Sequence, residues 1–131
     1  MEKIKKIKKF INLKNLDGYI IPKNDEFFSE YVPNHKDRLK KISGFTGSYG
    51  FALILKKENY LFVDGRYTLQ ANKEAGHKFK IITIPKKKPE HILKSKKLKI
   101  GYNPQVHTEE NLKRLFFRTK CKLFEVNEGN L

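Results

Sequence analysis

The sequence predicts an α/β fold, a single domain over residues 1–131 with a mixed β-sheet flanked by helices. Short apolar runs of strand length alternate with segments in which apolar residues recur every three or four positions. Proline, glycine or a polar cluster punctuates most of them. A chain of 131 residues is also long enough to bury roughly two-thirds of its unfolded surface around one core.

Ile4, Ile7, Phe10 and Ile11 recur between lysines, so residues 3–14 are expected to form a basic amphipathic helix that packs on the domain. Asp17 to Ile21 reads as a strand stopped by Pro22, followed by a helical turn around Phe27 to Tyr31. Tyr49 to Leu55 and Tyr60 to Val63 are two strands joined by the polar link Lys56 to Asn59, which is a hairpin signature. Asp64 is placed to cap a helix that runs to about Ala75 and ends at Gly76. Phe79 to Ile84 is the next strand, closed by Pro85. A lysine-rich connection with one helical turn leads to a strand at Leu98 to Tyr102. Thr108 opens a helix with Glu109 and Glu110 in its first turn, and Lys122 to Val126 is the last strand.

Composition narrows the function classes. The apolar fraction is 38% and the charged fraction 33%, so a modest core lies under a heavily solvated shell. Ten Phe and six Tyr supply too many large apolar groups for a disordered chain. No apolar run approaches the ~20 residues of a membrane span, and no signal-like stretch follows the basic N-terminus. A soluble, cytoplasmic protein is expected, and the single cysteine, Cys121, excludes an intrachain disulfide. Cys121 is expected as a buried structural residue in a strand.

The net charge of +15 raises nucleic acid or another polyanion as a partner. Only Arg38, Arg66, Arg114 and Arg118 among the 29 basic residues are arginine, the side chain that reads phosphate and guanine with two donors. The lysines are also spread along the chain, so a general compositional bias explains them and the balance is against nucleic acid.

Catalytic chemistry finds little to stand on. His35, His77, His91 and His107 are far from one another and from Cys121 in sequence, which argues against a metal site. The run Ser43-Gly44-Phe45-Thr46-Gly47-Ser48-Tyr49-Gly50 leads into a strand. A phosphate cradle needs a helix there, so a tight turn with positive φ and close backbone approach is expected instead. Asp64-Gly65-Arg66-Tyr67 is more informative. Arg66 puts a cation in the first turn of a helix, where the dipole opposes it, so something negative should compensate. One possibility is an ion pair with Asp64 or another surface carboxylate, which the electrostatics alone favour. The other is that Arg66 points out of the domain toward an acidic or carbonyl-bearing ligand.

Tyr19-Ile20-Ile21-Pro22, then Ser29-Glu30-Tyr31, Arg38, Ser43-Gly44-Phe45-Thr46-Gly47-Ser48, and Asp64-Gly65-Arg66-Tyr67 with Leu69-Gln70-Ala71 follow one another in a recognisable order. With Ile100-Gly101-Tyr102-Asn103-Pro104 near the end, this succession resembles the N-terminal domain of Xaa-Pro aminopeptidases of the creatinase/prolidase superfamily. Phe27, Phe28, Tyr49 and Asn103 depart from the residues usual there.

The resemblance implies a ribonuclease H-like fold and a non-catalytic role. In the family a separate catalytic domain, not represented in this sequence, holds a manganese-type dinuclear metal and removes the residue before a proline. No catalytic residue, metal ligand or cofactor is implied for this chain itself. The arginine of the family's Asp-Gly-Arg-Tyr motif reaches the peptide substrate, a role that carries over to Arg66. Asp64, Arg38, Phe45 and Ser48 are weaker candidates near the same cleft. The implied partners are the second and catalytic domains of the same enzyme and a peptide with proline in second position.

Overall fold

In the computed structural model, which describes residues 2–22, 38–47, 49–84, 89–93, 96–105, 112–114, 116 and 119–126, helix α1 (Glu2–Leu13) buries Ile4, Ile7 and Ile11. Lys3, Lys5, Lys6 and Lys9 of the same helix face solvent. The helix ends on Asn15, whose φ of 56° lies in the left-handed region that asparagine tolerates better than most residues. Two backbone bonds close this end: Asn15 N donates to Asn12 O at 3.2 Å and Leu16 N to Ile11 O at 2.9 Å. The reversal lays Leu16 into the same apolar cluster as Ile11, which fixes the angle at which the chain enters the sheet.

Six strands form one sheet: β1 (Gly18–Pro22), β2 (Gly50–Leu55), β3 (Asn59–Asp64), β4 (Lys80–Ile84), β5 (Lys99–Tyr102) and β6 (Lys122–Glu125). Their order is β4-β3-β2-β1-β5-β6. Strand β2 runs antiparallel to both β1 and β3, while β3–β4, β1–β5 and β5–β6 are parallel. The carboxyl ends of five strands and the amino end of β2 therefore share one edge of the domain.

Alternation along the strands divides the core in two. Tyr19, Ile21, Ala52, Ile54, Leu61 and Val63 face α1, α2 (Arg38–Ser43) and α3 (Thr68–Ala75). Ile20, Phe51, Leu53, Leu55, Tyr60, Phe62 and Ile100 face the other way, toward Leu93, Leu112 and Phe116. Leu93 directly follows the short helix α4 (Pro89–Ile92), and residues 112–114 are helical.

The α/β class, the single mixed sheet and the β2–β3 hairpin agree with the sequence reading. Several details differ. Pro22 completes β1 rather than stopping it, opposite Phe51; as the last residue of its strand it can lack an N–H without breaking the ladder. Asp64 caps a 3₁₀ turn, Gly65–Tyr67, and α3 begins only after it. Helix α2 was not anticipated. Gly76 does end α3, but at φ −61°, so no left-handed cap is involved. Cys121 precedes β6 and is half-buried rather than a buried strand residue, its Sγ 3.6 Å from Lys96 O. The expected turn at Phe27 to Tyr31 and the helix start at Thr108 lie outside the described residues.

At the opposite, amino-terminal edge, Leu55 N donates to Glu58 O at 2.9 Å and closes the hairpin. The Tyr60 hydroxyl donates to Glu58 Oε2, and Lys80 Nζ lies 2.9 Å from Glu58 Oε1. Burial, then the bond to Glu58 and its charge, push the Tyr60 phenol up to about 12. Its folded value thus lies above the ordinary ~10. The stability this gives is complete below about pH 10 and is lost as pH rises toward about 12. In an alkaline titration followed by tyrosinate absorbance, Tyr60→Phe should remove a late-titrating phenol and flatten the loss of stability across that interval. An unchanged late component would show that another tyrosine is responsible.

Candidate functional site

Strand β3 delivers Asp64 to the carboxyl edge of the sheet, and the chain turns there at once into the Gly65–Tyr67 segment. The Asp64 side chain accepts the backbone N–H of Arg66 at 2.9 Å and the Arg66 Nε–H at 3.3 Å, both on Oδ1. The backbone N–H of Arg66, with its guanidinium alongside, holds the Asp64 carboxyl below the usual range, against partial burial that pushes the other way. Thr68 Oγ1 donates to Gly65 O at 3.2 Å and lies 3.1 Å from Thr83 Oγ1, so the turn is tied to β4.

The Arg66–Asp64 ion pair that electrostatics favoured is present, yet it uses only Nε. The Arg66 side chain is 75% exposed. Among the described residues its two terminal amino groups have no hydrogen-bond partner. The guanidinium carbon sits 5.4 Å from the Tyr67 ring centroid, which restricts its swing. The result is a planar cation with a fixed root and outward donors.

Beneath it lies the glycine-rich loop. Gly44 has φ 82°, a conformation strained for any side chain. A Cβ on Gly47 would fall on the Phe45 ring, so glycine there is required by close approach. Phe45 is fully buried and meets Tyr67 edge to face, with centroids 6.0 Å apart. Ser43 Oγ donates to Leu39 O at 2.6 Å and accepts from Phe45 N at 3.1 Å; its hydroxyl is engaged in the turn.

A clamp that the sequence did not reveal holds the loop from outside. Glu74 accepts from Thr46 N at 3.0 Å and from Thr46 Oγ1 at 2.8 Å, while Gln70 Nε2 donates to Thr46 Oγ1 at 2.7 Å. The only sequence signal was the spacing of Gln70 and Glu74, one turn apart on α3. Tyr49 stands half-exposed just before β2, and burial, helped by the charge of Asp64, raises its phenol.

The structure thus brings Asp64, Arg66, Tyr67 and Phe45 into one stack. Phe45 contributes from within the core, where it supports Tyr67 without a surface of its own. Arg38 opens α2 and lines a cavity with residues of α1, and Ser48 lies outside the described residues. Asn103 is buried and accepts from Gln105 N at 2.9 Å, so it shapes the turn after β5.

Residues 3–126 match the family model of the creatinase/prolidase N-terminal domain. The chain belongs to this family. A probable Xaa-Pro aminopeptidase P from Laccaria bicolor is 37% identical over 81 residues, covering 62% of this chain and 13% of that protein. The X-prolyl aminopeptidase of Caenorhabditis elegans, described as a cytosolic enzyme with a di-nuclear active site, superposes with a TM-score of 0.77 at 23% identity. That match covers 95% of this chain and 24% of the nematode protein. The N-terminal domain of the cytoplasmic peptidase PepQ from Mycobacterium tuberculosis superposes at 0.70 with 21% identity, covering 96% of this chain and 93% of that one. At these identities the structures speak for the fold.

Among the described residues no three His, Cys, Asp or Glu side chains come together as metal ligands. They do not fit a dinuclear metal. No helix among them is long and apolar enough to cross a membrane.

Proposed function

We propose that this chain is the non-catalytic N-terminal domain of an Xaa-Pro aminopeptidase. In this reading it covers the active-site cleft of a cytoplasmic enzyme whose separate catalytic domain holds a manganese-type dinuclear metal. Arg66 reaches across to the peptide substrate, whose second residue is proline, and the second and catalytic domains of the same enzyme are its partners. One observation carries the reading. Arg66 is anchored through its backbone N–H and Nε on Asp64 while its terminal amino groups stay outward and unpartnered among the described residues. A guanidinium in that state suits a substrate carbonyl or carboxylate, which accepts two parallel hydrogen bonds.

The division of labour has a direct test. Supplied with manganese, the purified 131-residue chain should release no N-terminal residue from a Xaa-Pro peptide and should bind no stoichiometric metal, because metal catalysis needs several fixed ligands and an activated water. Hydrolysis above a manganese-only blank, reproduced across preparations, would overturn the assignment.

A further inference from the structure

Strand β2 begins at Gly50, which pairs with Val63 of β3. One step beyond that pair, Tyr49 comes across from Asp64, the residue that anchors Arg66. Phe51 and Phe62 lie two residues inward on the same two strands and stack with their centroids 4.7 Å apart. Alternation puts Tyr49 and Asp64 on the sheet face of those rings. Ile84 of β4 is in register with Asp64 and packs against the apolar cluster of that face. Tyr49, Asp64 and Ile84 thus form a row across three strands at the carboxyl edge, with the Arg66 guanidinium held on the carboxylate in its middle.

Tyr49 is 48% exposed. Among the described residues its hydroxyl has no hydrogen-bond partner and its ring meets no other ring. The charge of Asp64 reaches its phenol, so the ring stands beside the same carboxylate that fixes Arg66. A large apolar surface and a planar donor therefore flank one anchor, and both face outward. The guanidinium suits a carbonyl or carboxylate; the ring suits an apolar group. A stretch of peptide carries both. Cross-strand neighbours have their Cβ atoms about 5 Å apart and an extended peptide rises about 3.3 Å per residue, so one or two residues cover the span.

We propose that Tyr49 is a specificity-determining residue of the substrate cleft, its ring receiving an apolar side chain that follows the proline while Arg66 holds the carbonyl or terminal carboxylate of that part of the peptide. This rests on the function proposed above, in which the bond before the proline lies at the metal of the catalytic domain. The part of the peptide left for this domain is then the part after the proline.

The test compares the full-length enzyme with its Tyr49→Ser, Tyr49→Phe and Arg66→Ala variants on Ala-Pro-Leu and Ala-Pro-Gly. Wild type should favour leucine. Tyr49→Ser should lower kcat/KM for Ala-Pro-Leu by about tenfold, chiefly through KM, and for Ala-Pro-Gly by no more than about twofold, because only leucine has apolar surface to lose. Its melting temperature should be nearly unchanged, since the side chain stands half in water. Tyr49→Phe keeps the ring and should keep the preference. Arg66→Ala should slow both peptides alike. No leucine preference in wild type, or an unchanged one in Tyr49→Ser, would overturn the role of Tyr49 while the Arg66→Ala loss still supported a domain over the cleft. Equal losses on both peptides in Tyr49→Ser would make the tyrosine structural, and a loss in Tyr49→Phe as large as in Tyr49→Ser would assign the effect to the hydroxyl; either result sinks the proposal. Normal activity of Arg66→Ala on both peptides would instead overturn the placement of this domain over the cleft.

Discussion

On the proposed reading, Arg66→Ala in the full-length enzyme should lower kcat/KM for a Xaa-Pro peptide by about ten- to a hundredfold while leaving the melting temperature essentially unchanged. The two halves of this expectation have separate causes. A hydrogen bond from an ionised donor to a substrate carbonyl or carboxylate contributes about 1.5–3 kcal/mol, and its loss gives the fall in rate. Stability is insulated because the bond that shapes the turn runs from the Arg66 backbone N–H to Asp64, and alanine retains that N–H. What alanine removes is an exposed ion pair, a class of interaction with little net worth.

Arg66→Lys should restore only part of the activity, since an ammonium is a point charge without the two-pronged planar donor. Asp64→Asn gives an independent reading of the anchor. The amide oxygen can still accept the backbone N–H, but the guanidinium loses its charged partner, so the loss of kcat/KM should be smaller than with Arg66→Ala. Normal kcat/KM in Arg66→Ala together with several degrees of lost melting temperature would make Arg66 a structural ion-pair residue.

The strands and the hairpin were legible because each rests on local chemistry: β2 and β3 are apolar runs, and the polar residues between them can only turn. The sheet order was not legible. Strand β1 lies between β2 and β5, so its partners Leu55 and Ile100 come from distant parts of the chain, and no local periodicity encodes which apolar run becomes a neighbour. Helix α2 escaped notice because Leu39 and Ile42 are the only core-facing pair in its six residues, too short a window for a helical period to show. The turn at Asn15 was hidden for a different reason: a left-handed cap needs one tolerant residue, and asparagine is equally common in ordinary loops.

The candidate site shows the same division. Asp64 and Arg66 are two positions apart in sequence, so their pairing follows from local turn geometry. Arg38 and Phe45 were grouped with them by resemblance alone; packing sets Phe45 in the core against Tyr67, beneath the Arg66 turn, and Arg38 at a cavity against α1. Thr46 and Glu74, joined by two hydrogen bonds across 28 positions, belong to the kind of contact that only the packed fold reveals.

Phe45→Ala should be the most damaging single change to stability around the site, at about 3–5 kcal/mol, the range for truncating a buried phenylalanine. For a domain of this size that corresponds to a drop of about 10–20 °C in melting temperature. The ring is fully buried and supports Tyr67, and the loop around it is held by the Ser43 and Thr46 hydrogen bonds, so it cannot easily collapse into the space left behind. Gly47→Ala perturbs the same contact from the other side, because its new methyl group would fall on the Phe45 ring; overpacking of this kind costs about 1–3 kcal/mol. The pair makes a double-mutant cycle with a definite sign. Once the ring is gone, the methyl of Gly47→Ala enters free space, so the double variant should be more stable than the sum of the two single losses predicts, by about 1 kcal/mol or more. Urea denaturation of the four proteins measures it. Strict additivity would mean that Gly47 is required for its backbone conformation and not for the approach of Phe45, and the ring would lose its place as the support of the Arg66 turn.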